Sequence, residues 1–205
     1  IRRQRQMCIE TGRHHCKGCF NEETWDFGFG QHYTEETEAE ILRLLGAGFV
    51  QGFTLLGGEP FEPENQVELV KLLKKIRETY PQKDIWCYSG YLFDRDMVPG
   101  GCVHTDVTEE MLSYIDVLVD GEFKEELKDV TLVFRGSQNQ RIIDVQESRN
   151  QGTVVGGVLH LYQTMGLLPD LLQLLDGFMP ERSGLVYPAF TMSFKEATRT
   201  MKNSS

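Results

Sequence analysis

This sequence predicts an α/β fold with a largely parallel sheet, and three observations carry that prediction. Short apolar runs alternate with segments of helical periodicity. Each of the clearest runs ends at a glycine-bearing turn. Those turns all fall after their runs, on the edge where a parallel sheet gathers its ligands.

The elements follow in chain order. Thr34 is placed to cap a helix whose first turn carries Glu35 and Glu36, and Ile41, Leu42, Leu44 and Leu45 recur at helical spacing until the glycines of "GAG" stop it. "GFTLLGGEP" reads as a buried strand running into a tight loop. Pro63 suits the first turn of a second helix, with Val67, Leu69, Val70, Leu73 and Ile76 on its apolar face and Tyr80-Pro81 as its end. "DIWCYSG" is the next buried strand, "TEEMLSYI" a helix opened by Thr108, and "DVLVDGEF" a third strand ended at Asp120-Gly121. "VTLVFRG" and "QRIIDV" are further apolar runs of strand length. Beyond Val145 glycine breaks dominate, with one short helix expected from Asp170 to Leu175 and a polar tail expected to fray. Residues 1–150 are expected to form the main domain and 151–205 an extension of unknown role.

A chain of 205 residues with 40% hydrophobic content suffices for one ordinary core. Its net charge of -10 disfavours nucleic acid and anionic membrane as partners. No run approaches a membrane span, and "IRRQRQMCIETG" lacks the apolar centre of a secretory signal, so the expected location is the cytoplasm. Five cysteines cannot all pair, and in a reducing compartment clustered thiols more often bind metal or do redox work.

Cys16 and Cys19 cluster in "RHHCKGCF", and a Cys-x-x-Cys turn brings two sulfurs to one ion, with Gly18 allowing close backbone approach. Three readings fit the loop alone: a zinc site with His14 or His15, a dithiol redox pair, or an iron-sulfur site. The loop "GGEP" adds two glycines and a carboxylate after a strand, a set able to meet a small ammonium group.

With these motifs in place, the chain resembles the activating proteins of anaerobic (class III) ribonucleoside-triphosphate reductases, a short branch of the radical S-adenosylmethionine (SAM) superfamily. The matching segments are "HHCKGCFNEETWDF", "LLGGEPFEPEN", "KDIWCYSGY", "IDVLVDGEF" and "FRGSQNQRIIDV", in order from His14 to Val145. The resemblance implies a partial (β/α) barrel of radical-SAM type. It implies a 4Fe-4S cluster on three thiolates, and reductive cleavage of SAM to a 5′-deoxyadenosyl radical that abstracts hydrogen from a glycine of the reductase large subunit. The electron donor would be a flavodoxin or ferredoxin. By the same carry-over Cys16 and Cys19 are iron ligands, Gly18 and Phe20 lie against SAM, Gly57, Gly58 and Glu59 hold its methionyl end, and Ser89 approaches the cofactor.

One position departs from the family's Cys-x-x-x-Cys-x-x-Cys loop. The first thiolate should stand four residues before Cys16, where the chain has Gly12. Cys8 is the nearest thiol and is taken as the third ligand. Seven residues separate it from Cys16, enough chain to loop back at about 3.3 Å per residue. His14 or His15 is the alternative ligand. The alternative functions are a cluster-deficient chain acting only as a binding domain and a structural zinc protein.

The remaining residues have two-sided readings. Trp25 and Phe27 are read as core packing before cofactor cover. Asp120 and Gly121 are equally a cofactor-edge pair or a strand-ending turn. Arg135 is expected to be solvated, Cys87 a small buried hydrophobe and Cys102 a loop thiol.

Overall fold

The computed structural model describes residues 33–157. Within them lie helix α1 (Glu35–Leu45), strand β1 (Gly52–Leu55), helix α2 (Pro63–Thr79), strand β2 (Asp84–Tyr88), helix α3 (Thr108–Tyr114), strand β3 (Val117–Asp120), strand β4 (Arg141–Asp144) and helix α4 (Val145–Gln151). The strands form one open sheet in the order β1-β2-β3-β4. β1, β2 and β3 are parallel, in the register Leu55 to Cys87 and Tyr88 to Val119, whereas β4 runs antiparallel to β3 with Asp120 opposite Arg141. The coarse expectation of a mixed α/β protein with a mostly parallel sheet is met. The described sheet is open at four strands.

Alternation along the strands sorts the apolar residues into two layers. Ile85, Cys87, Leu118 and Ile143 face the helices, where Leu69, Leu72, Leu73 and Ile76 of α2 and Met111 and Leu112 of α3 complete the larger core. Trp86, Val117 and Val119 face the other way, with Tyr88 and Ile142 beside them. The Phe134 ring tilts against Trp86 at 5.2 Å between centroids on that second face.

Most helix boundaries arise from the chemistry read in the sequence. Thr34 caps α1 by accepting from the Thr37 N–H, and Pro63 sits in the first turn of α2. Thr108 begins α3 but does not cap it. Its buried hydroxyl donates to Gln66 instead and accepts from the Thr105 N–H.

Two expectations are corrected. "VTLVFRG" is no strand: Asp129 Oδ1 accepts from both the N–H and the hydroxyl of Thr131, turning the chain, and Val130 is 88% exposed. Phe134 then takes φ 61, a left-handed geometry unusual for an aromatic residue, and β4 occupies the edge of β3. Arg135 is half-buried rather than solvated, donating from Nη1 to the Gln140 carbonyl at 2.7 Å. In addition, α4 forms where no helix was anticipated, between an Asp144 cap that accepts from Glu147 N–H and a left-handed Gly152.

Candidate functional site

The carboxyl ends of β1, β2 and β3 carry the residues that the motifs singled out. β1 leads through Leu56 into Gly57, whose φ of 142 is open to glycine and strained for other residues. Among the described residues, no hydrogen bond reaches the carbonyls of Gly57 or Gly58. Two carbonyls on such a turn suit an ammonium group.

Glu59 follows, only 2% exposed. Its Oε1 accepts from the Phe61 N–H at 2.9 Å and the Ser89 hydroxyl at 2.8 Å, and its Oε2 accepts from the Gly90 N–H at 2.7 Å. The carboxylate thus joins the loop after β1 to the loop after β2. Its main-chain carbonyl is held as well, by the Asn65 amide at 2.8 Å.

Burial pushes the Glu59 carboxyl up to about 7, with the neighbouring charge of Glu62 in the same direction; the Phe61 and Gly90 N–H groups and the Ser89 hydroxyl work against it. The folded protein holds this proton more tightly than the unfolded chain, so the contribution is full below the ordinary value of 4.5 and is lost as pH rises through about 7. Over that window it is on the order of 3 kcal/mol. Urea unfolding from pH 5 to 8 is expected to show this loss, and Glu59→Gln to remove it from the profile.

Around Glu59 lies a buried polar layer that the sequence did not reveal. The Tyr91 hydroxyl donates to Glu62 at 3.1 Å. Gln66 Nε2 donates to the carbonyls of Phe61 and Val103, while its Oε1 accepts from the hydroxyls of Thr105 and Thr108, so the amide's donors and acceptor are all used. The one available hint was a polar triad, Glu62, Asn65 and Gln66, at helical spacing on a buried face.

At the end of β3, Asp120 is fully buried and bridges to the Arg141 guanidinium, Nε to Oδ1 at 2.9 Å and Nη2 to Oδ2 at 2.5 Å. Its Oδ2 also accepts from the Phe93 N–H at 2.9 Å. Arg141 reaches on to Asp94, and both partners raise its pKa. Gly121, at φ 97, makes the strand-ending turn.

The structure therefore brings Gly57, Gly58, Glu59, Ser89 and Asp120 to one sheet edge. Cys8, Cys16, Gly18, Cys19 and Phe20 lie outside the described residues, as do Trp25 and Phe27. Among the described residues no group of three or more His, Cys, Asp and Glu side chains could hold a metal. Cys87 is buried in its strand, where desolvation raises its thiol pKa, and exposed Cys102 donates to Asp96 at 3.6 Å. Neither belongs to a group of side chains that could hold a metal among the described residues. A cleft of 460 Å³ opens at the opposite edge, between Gly46, Gly48, Lys83 and Asp84, away from this set. Among the described residues no helix is long and apolar enough to cross a membrane.

The class comes from the comparison of families: the model for a 4Fe-4S single cluster domain matches residues 5–143, a span that takes in both the cysteine pair of the sequence and the described sheet. Three relatives narrow it. The anaerobic ribonucleoside-triphosphate reductase-activating protein of Enterobacteria phage T4 is 38% identical over 130 residues, 63% of this chain and 76% of the relative. Those of Pasteurella multocida (strain Pm70) and Escherichia coli (strain K12) are each 38% identical, over 132 and 129 residues, covering 63% and 62% of this chain and 79% of each relative. The chain belongs to the family of anaerobic ribonucleoside-triphosphate reductase-activating proteins. No solved structure matches it.

Proposed function

We propose that this chain is a glycyl-radical activating enzyme for an anaerobic ribonucleoside-triphosphate reductase. The observation that carries this reading is the 38% identity to reductase-activating proteins over most of their length, together with the 4Fe-4S domain match. When bound, the cluster and SAM supply reductive cleavage of SAM to methionine and a 5′-deoxyadenosyl radical that takes a hydrogen atom from a glycine of the reductase.

The chain's own residues bind and orient. Cys16 and Cys19, with Cys8 as third thiolate, would hold the cluster. Gly18 and Phe20 would lie beside the cofactor. The carbonyls of Gly57 and Gly58 would take its ammonium group, with Glu59 and Ser89 at that end of the site. The open sheet belongs to a partial (β/α) barrel of radical-SAM type, formed by residues 1–150, with 151–205 as an extension. The reductase large subunit is the partner, and a flavodoxin or ferredoxin supplies the electron.

Anaerobic reconstitution tests this. The protein is expected to take up about four iron and four sulfide and, once reduced, to release methionine and 5′-deoxyadenosine from SAM. A chain that binds no iron under those conditions sinks the reading. Gly12, standing where the family has a cysteine, favours the second reading, a domain that binds the reductase without a cluster. Reductase binding by an iron-free chain would establish it.

A further inference from the structure

We propose that Ser89 is a positioning residue: its hydroxyl acts through Glu59, and the Ser89–Glu59 pair is a clasp that fixes the Gly57-Gly58 turn for the ammonium group of its ligand. This rests on the reading of that turn as a SAM site and assigns the two residues behind it a role distinct from direct contact.

The hydrogen bonds give the clasp its direction. Ser89 is 6% exposed, its N–H is donated to Val119 of β3, and its Oγ accepts from the Tyr91 N–H at 3.1 Å. The single hydroxyl proton goes to Glu59 Oε1 at 2.8 Å. Ser89 is therefore anchored to the sheet on one side and spends its donor on the carboxylate on the other. Glu59 is in turn fixed by the N–H groups of Phe61 and Gly90 at its side chain and by Asn65 and the Glu62 N–H at its carbonyl. Gly57 lies only two residues upstream, at a φ of 142. With Glu59 held on both main chain and side chain, the glycine turn is the segment that clasp rigidity sets, and losing the Ser89 bond loosens it.

A double-mutant cycle over Ser89→Ala and Glu59→Ala tests this with two readouts: the thermal midpoint of the purified protein, and the SAM dissociation constant of the reconstituted protein by equilibrium dialysis. Ser89→Ala alone is expected to lower the midpoint and to weaken SAM binding about tenfold, the scale of one hydrogen bond to a charged group. Ser89→Thr, which keeps the hydroxyl, is expected to restore both. In the Glu59→Ala background Ser89→Ala should leave SAM affinity unchanged, because the path through the carboxylate is already cut, and should lower the midpoint by less than in the unmodified protein, only the Tyr91 N–H then losing a partner. Equal losses of SAM affinity in the two backgrounds would mean that Ser89 touches the ligand itself and would overturn the clasp. Should Glu59→Ala not fold, the single variant decides. Removing a donor that favours the charged carboxylate is expected to move the midpoint of the stability–pH curve upward, and an unmoved midpoint would overturn the proposal. If the unmodified protein binds no SAM, the enzyme reading fails, while the thermal cycle still decides whether the clasp exists.

Discussion

Cys16→Ser and Cys19→Ser are each expected to reduce reconstituted iron from about four per chain to less than about one, and to abolish SAM cleavage. Serine keeps the size of the side chain but offers no soft thiolate, and a site with three protein ligands cannot lose one and keep its cluster. The same loss is expected for Cys8→Ser, because Gly12 leaves Cys8 as the third thiol within reach. The decisive comparison is rescue: inserting Cys between Gly12 and Arg13 in the Cys8→Ser background restores the family's spacing and should return the iron. Iron content and the cluster's visible absorption read this without a partner protein. A Cys8→Ser chain that keeps its full iron would remove Cys8 from the site.

Asp120→Ala is expected to cost about 3 kcal/mol of stability, measured by urea unfolding, because it strands two groups that the carboxylate now serves. The Phe93 N–H would lose its acceptor, and Arg141 would lose the buried side of its bridge. Asp94→Ala is the control. It removes the other partner of Arg141, but Asp94 is half exposed, and such pairs are worth less than about 1 kcal/mol. The contrast separates a buried carboxylate from a surface one bound to the same guanidinium. Equal effects would show that Arg141, not Asp120, sets the stability of this edge.

Both experiments concern residues whose visibility in the sequence differs for physical reasons. The helices α1 and α2 and the strands β1 to β4 were legible because each is a local pattern: a cap, a proline, an apolar period or an apolar run. The glycine turn was legible for the same reason. The antiparallel direction of β4 was not, since an apolar strand of four residues reads the same in either sense. "VTLVFRG" misled because its composition suits a strand while Asp129, one residue earlier, begins a turn. Helix α4 had a readable signal, Asp144 followed three residues later by Glu147, but no apolar period to draw attention to it. The Glu59–Ser89 contact spans thirty residues of chain, and nothing at either position announces the other. Carboxylates placed beside a motif are read as ligand contacts by default; burial alone tells which of them face inward.

The strand order β1-β2-β3-β4 also bears on how this protein is made. Every described strand pairs with the one that precedes it in the chain, so none has to wait for a distant segment still inside the ribosome. The sheet can be laid down one strand at a time as synthesis proceeds. Arg141 follows its partner Asp120 by only 21 residues of chain, so the bridge that closes this edge asks for no long loop.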